Sequence, residues 1–214
     1  MENSVAHIRK DVSFDKAKTG FMVADPLTLY DCCPTSDGAS CVILAADHIV
    51  KQFTDDPVWI NSSAAASDYL ALHDRPSITQ LIATQMAAKK AYNMAGITAS
   101  SVDLAEVHDC FTIAELLATE DLGFASRGEG GLFSREGRGR RNEGSTCINP
   151  SGGLKSKGHP LGATGTGQTV EIFKQLRGEV ESVRQVRDAE VALSHNVGGS
   201  GATCAVHVYG RDRT

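Results

Sequence analysis

Long apolar runs are missing from this chain of 214 residues. No stretch approaches the roughly 18 apolar residues that a membrane-spanning helix requires, so no membrane span is expected. The opening MENSVAHIRK lacks the apolar core of a secretory leader, and the closing YGRDRT matches no peroxisomal or retention signal. An excess of basic charge is absent too. The net charge is -5, and Lys and Arg are scattered except around Arg135–Arg141, a glycine-rich stretch with the composition of a solvated loop. That excludes the positive footprint of a nucleic-acid-binding domain. The six cysteines show neither CxxC spacing nor the density of a disulfide framework. They are expected to be reduced thiols, mostly small buried side chains, in a cytoplasmic setting. No His/Cys pair has helical or knuckle spacing suited to zinc. GATGTG, Gly162–Gly167, lacks both the GKS/T ending of a phosphate loop and the spacing of a dinucleotide fingerprint. No metal or cofactor is expected.

What is present is ordinary for a globular protein: 41% apolar and 22% charged residues. The length suits one large domain, or one domain with an extension. Residues 1–36 have little periodicity and read as a linker entering a domain at 37–214. ASCVILAAD (Ala39–Asp47) is a short continuous apolar run, the pattern of a strand buried on both faces. VWINSSAAAS (Val58–Ser67) predicts a second strand. Ser77–Gly96 predicts a helix with Leu81, Ile82, Met86, Ala87 and Met94 on one face and Gly96 as its stop. Asp103–Phe111 begins as a strand and turns at His108-Asp109. The helix that follows places Ile113, Leu116, Leu117 and Leu122 on its apolar side, and 125–148 reads as loop. A helix is expected from about Leu161 to Leu176. Strands at Val191–Ser194 and Thr203–Tyr209 close the chain around a glycine-rich turn. The alternation, ending in two strands, predicts an α/β fold with a mixed five-stranded sheet and helices on its faces, in the order βαβαβαββ.

In such a sheet, ligands gather where strands end and loops lead into helices. Three unusual segments fall at such places: HDCF (His108–Phe111), SKGHP (Ser156–Pro160) and HNVGGSG (His195–Gly201). Each admits a bland reading. His108 suits a hydrogen-bonded turn, Cys110 suits core packing, and GGSG suits a tight hairpin. His159 sits between Gly158 and Pro160, a restricted backbone that serves either a structural loop or a placed imidazole. Chemistry would explain the set jointly. A thiol nucleophile needs a base such as a near-neutral histidine. Making or breaking a carbon–carbon bond beside a thioester needs a second acid/base at the α-carbon and donors for an enolate oxygen. His159 as base, Cys110 as proton shuttle, His108 as oxygen donor and a glycine N–H as second donor would fill those roles.

These residues resemble a known family. NPSGGLKSKGHPLGATG (Asn149–Gly165) resembles the signature loop of thiolases. EVHDCFTIAELL (Glu106–Leu117) and HNVGGSGA (His195–Ala202) resemble the sterol-carrier-protein type in particular, and DPLTLYDCCPTSDGAS (Asp25–Ser40) resembles the segment joining the two thiolase halves. Classical members carry an Asn-Glu-Ala-Phe-like motif where this chain has HDCF, and Cys-x-Gly where it has Asn196-Val197-Gly198. The resemblance runs from about Ala24 to Tyr209 and implies a thiolase-like C-terminal half. It implies that His159 activates a nucleophilic cysteine, that Cys110 performs the acid/base work of the absent Cys-x-Gly thiol, that His108 helps hold a thioester oxygen, and that Gly198 offers its N–H to a second oxyanion hole. Coenzyme A would enter as substrate, on an acyl-CoA.

The resemblance further implies that the acyl-accepting cysteine belongs to an N-terminal half that this chain enters only near its end. Cys32 and Cys33 match the linker, and nothing in the sequence there lowers a thiol pKa. The chain then reads as a fragment of a longer enzyme, as one subunit of a split enzyme, or as a thiolase-derived scaffold; a homo-oligomer, or a partner chain carrying that half, is expected, and the chain alone is not expected to be active. The implied activity is thiolysis of a 3-ketoacyl-CoA or the reverse Claisen condensation. The alternatives are a retro-aldol lyase acting on a β-hydroxyacyl-CoA, whose members tend to place tyrosine near the HDCF position, and a non-catalytic interaction module.

Overall fold

The computed structural model describes residues 3–214. Ahead of the main sheet lie a short helix α1 (Phe14–Lys18), a two-stranded ribbon β1 (Met22–Ala24) and β2 (Leu27–Thr28), and a single helical turn α2 (Asp47–Val50). The body follows as β3 (Trp59–Ser67), α3 (Ile82–Ala95), β4 (Leu104–Glu106), α4 (Thr112–Asp121), α5 (Gly130–Arg135), β5 (Cys147–Ile148), α6 (Gly153–Lys157), α7 (Thr164–Leu176), β6 (Val191–Gly198) and β7 (Thr203–Gly210). The five strands order as β3-β7-β6-β4-β5. β7 is antiparallel to both β3 and β6, whereas β4 runs parallel to β6 and β5. The sheet is therefore mixed. With adjacent helices counted together, the element order is the expected βαβαβαββ.

The period-two alternation of the strands builds two cores, one on each face. Ala105 of β4, Leu193 of β6 and Val206 and Val208 of β7 face α3 and α4. Their neighbours Leu104, Ala192 and Tyr209 face Ile172 and Leu176 of α7 on the opposite side. Each fully buried Leu or Val contributes about 1.5–3 kcal/mol relative to exposure.

Several local expectations are corrected. Ala39–Ala46 forms no strand. It runs irregularly, with Ile43 93% and Leu44 71% exposed. A strand requires a partner ladder, and this segment pairs with none of the five strands. It instead crosses α7, where Ser40 Oγ donates to the Ala163 carbonyl at 2.8 Å. The fifth strand comes from within 125–148, which is not all loop. It contains β5 and also α5, whose Phe133 is buried and whose first N–H, on Gly130, donates to the Glu120 carboxylate.

Of the residues expected on the buried face of α3, only Ala87 is fully buried. Ala83, Ala87, Ala88, Ala91 and Ala95 are buried, while Met86 and Met94 are exposed. A row of methyl side chains lets the helix approach the sheet closely, which long methionines would prevent. The expected stop holds, because Gly96 closes α3 in the left-handed conformation at φ 66°. On α4, Ala118 and Thr119 are buried, as is Leu122 just past its end, whereas Ile113 is exposed. Of the six cysteines, only Cys147 and Cys204 are buried; Cys32, Cys33 and Cys110 are half-buried and Cys41 is exposed.

Candidate active site

β4 and β6 are parallel neighbours, so their C-terminal ends reach the same edge of the sheet. His108 and Cys110 lie just beyond β4, while His195, Asn196 and Gly198 occupy the end of β6. The turn after β4 is laced to the glycine-rich loop before α6. The fully buried Glu106 carboxylate accepts from Ser151 Oγ at 2.6 Å and from Ser151 N at 3.0 Å. The Val107 N–H donates to Asn149 Oδ1 at 2.8 Å. The Asp109 carboxylate accepts from Leu154 N at 2.6 Å and Lys155 N at 3.4 Å. Glycine is required at 153, where φ is 62° and a Cβ would lie 2.2 Å from Asp109 Oδ2. Gly158, at φ 109°, ends α6 and turns the chain into His159; a Cβ there would meet Ser36 Oγ at 2.7 Å.

The outcome is contact between two distant histidines. The rings of His108 and His159 meet edge to face, with centroids 4.8 Å apart and an interplanar angle of 89°. Burial, reinforced by the neighbouring His159, pushes the His108 pKa down to about 4. Burial and Lys157 lower that of His159. Both rings are therefore neutral at pH 7, and each can act as a proton acceptor or a hydrogen-bond partner. His159 Nδ1 is 2.7 Å from the Thr164 hydroxyl at the start of α7. His108 Nδ1 is buried and has no hydrogen-bond partner.

Cys110 has different neighbours. Its carbonyl accepts from Cys33 N at 2.9 Å. Burial raises its thiol pKa, helped by Cys33 and Asp109, so the group is protonated at neutral pH and can give up a proton. Gly198 pairs with Thr203 at the end of the β6–β7 hairpin, and a Cβ at Gly198 would lie 2.5 Å from Thr203 Oγ1. His195, in the third suspected segment, faces the interior. It is fully buried, with Nδ1 accepting from His108 N at 3.4 Å and Nε2 2.9 Å from Thr84 Oγ1. Burial holds its pKa down at about 3.

Sequence reasoning did not single out Asp109, Glu106, Thr164 or Asn196. Asp109 had a visible signal only in its place between His108 and Cys110. Thr164 acts on His159 five residues before it, whereas Glu106 and Asn196 act through contacts distant in sequence. Asn196, for example, donates to Gln168 Oε1 of α7 and also interacts with the His108 ring. Among the described residues, no group of three or more His, Cys, Asp or Glu is placed to hold a metal ion, and no helix is long and apolar enough to cross a membrane.

Comparison with known proteins places this architecture. A family model described as thiolase C-terminal domain-like matches residues 64–211. The chain belongs to that family, and its fold is the thiolase-like C-terminal half. An acetyl-CoA acetyltransferase of Methanothermobacter thermautotrophicus is 49% identical over 209 residues, covering 98% of this chain and 54% of the relative. Sterol carrier protein 2 of Oryctolagus cuniculus is 41% identical over 207 residues, covering 94% and 38% respectively. The structure of an Ltp2-ChsH2(DUF35) aldolase superposes with a TM-score of 0.83 at 24% identity, over 96% of this chain and 53% of that one, a likeness of fold. The chain thus spans about half the length of the acetyltransferase it matches, and less of the sterol carrier protein.

Proposed function

We propose that this chain supplies the proton-handling side of a thiolase-type acyl-CoA C-acyltransferase. The reaction is thiolytic cleavage of a 3-ketoacyl-CoA or the reverse Claisen condensation, with coenzyme A and acyl-CoA as substrates. The nucleophilic cysteine comes from an N-terminal thiolase half. The observation that carries this reading is the contact between the neutral His108 and His159 rings beside the Cys110 turn. His159 takes the proton of the incoming cysteine thiol, because a neutral imidazole has a lone pair for it. His108 and His159 face the thioester oxygen, where a donated proton or a bridging water offsets developing negative charge. Cys110, kept as a thiol by its surroundings, exchanges a proton with the substrate α-carbon or the departing thiolate. The Gly198 N–H is assigned to a second oxyanion.

The test is reconstitution. The chain is combined with a thiolase N-terminal half, joined or separate, and loss of 3-ketoacyl-CoA in the presence of coenzyme A is followed. Substitution His159→Ala should lower turnover by about 10²–10⁴-fold while assembly is retained. Unchanged turnover removes His159 as the base. Cleavage of a β-hydroxyacyl-CoA in place of the ketone would assign the site to retro-aldol chemistry.

A further inference from the structure

We propose that Asp109 is a positioning residue, a strut that fixes the His159 loop against the turn carrying His108 and Cys110. This deepens the reading above and rests on it for its kinetic arm. The geometry is specific. Asp109 stands in sequence between His108 and Cys110, yet its side chain leaves that turn and enters the start of α6, which leads through Gly158 to His159. Its oxygens accept the N–H groups of Leu154 and Lys155 at 2.6 and 3.4 Å. Those donors have no carbonyl partner within so short a helix, so the carboxylate determines where α6 begins.

The residue is only 2% exposed, and the backbone has made room for it. Gly153 adopts φ 62°, and any Cβ at that position would overlap Asp109 Oδ2. α6 spans only Gly153–Lys157. A displacement at its start is therefore passed within little more than one turn to the imidazole, and a shift of about 1 Å at a reacting group can cost roughly 10²-fold in rate. Burial and the nearby Glu115 push the Asp109 carboxyl up to about 7, with the Leu154 N–H opposing them. Even the neutral acid retains acceptor oxygens for those N–H groups.

The inference is tested by Asp109→Asn, which keeps one carbonyl acceptor in nearly the same shape, and Asp109→Ala, which keeps none. In the chain by itself, nuclear Overhauser contacts between ring protons of His108 and His159 report the pairing. They are expected in the parent and in Asp109→Asn, and should be lost in Asp109→Ala. In the reconstituted enzyme, Asp109→Ala should lower kcat by about 10–100-fold with KM within about twofold, and Asp109→Asn should recover most of the loss. If the alanine chain does not fold, Asp109→Ser, whose hydroxyl is too short to reach Leu154, takes its place in both arms. Ring contacts and kcat that survive in the alanine or serine chain, with only stability reduced, would overturn the proposal. A parent enzyme without thiolysis would instead overturn the functional reading, while the ring contacts would still decide the strut.

Discussion

His108 and Asn149 are joined through their neighbours: the Val107 N–H, one residue before His108, donates to Asn149 Oδ1 at 2.8 Å. Asn149 is the first residue of the loop that ends at His159, and its Nδ2 donates to Glu115 of α4 at 3.0 Å. One side chain thus ties the strand that presents His108 to the loop that presents His159 and to the helix behind both. Glu106 with Ser151, and Asp109 with Leu154, repeat the pattern along the same pair of segments. The pairing of the two histidines rests on a ladder of buried polar contacts. Each costs free energy if one partner is removed, because the other is left unsatisfied.

The space for the Asp109 carboxylate gives a stability prediction with an internal control. Gly153 and Gly96 have nearly the same φ, 62° and 66°, but a Cβ at Gly96 meets nothing within 4 Å. Gly96→Ala should cost only the left-handed backbone term, about 1 kcal/mol. Gly153→Ala adds a steric conflict with a held carboxylate and should cost about 2–4 kcal/mol. Denaturant unfolding of the two variants checks the difference; equal losses would mean that the carboxylate yields without resistance.

His195 gives a pH prediction. Its pKa in the fold is pushed down to about 3 by burial, well below the ordinary histidine value of about 6.5. A depressed value contributes stability that is complete above the unfolded pKa and is lost as the pH falls toward the folded one. Between pH 7 and pH 5 this one group should remove about 2 kcal/mol. His108, pushed down to about 4, acts in the same direction, whereas Asp109, raised to about 7, acts in the opposite one. The comparison must therefore be between the parent and His195→Gln. The variant should lose about 2 kcal/mol less than the parent over that interval, measured by urea unfolding at both pH values. Parallel losses would show that His195 titrates normally in the fold.

The segment 39–46 gives a prediction about association. Ile43 and Leu44 are exposed, and together with Cys41 and Val42 they line an apolar cavity of about 340 Å³ with Val58, Ile60, Val170 and Phe173. Covering one such side chain is worth about 1.5–3 kcal/mol. The chain by itself is expected to self-associate with rising concentration in sedimentation velocity. Ile43→Asp combined with Leu44→Asp should shift it toward the monomer. A parent that stays monomeric at high concentration would show that this surface tolerates water.

The sequence by itself determined the alternation of strands and helices, the stop of α3 at Gly96, and the three segments that reach one edge of the sheet. Those properties are local: periodicity, glycine at positive φ, and motif identity are carried by neighbouring residues. Tertiary structure alone decided the rest. Ala39–Asp47 has a strand's composition, but a strand exists only where a ladder receives it, and the two-residue β5 is a strand only because β4 lies beside it. The alanine face of α3 prevailed over its methionines because closeness to the sheet, which no hydropathy pattern encodes, determined which side was buried. Asp109 looked like a neighbour of Cys110 and proved to be the partner of Leu154. A buried carboxylate is placed by whichever N–H groups the fold brings to it, and those were set by a segment far along the chain.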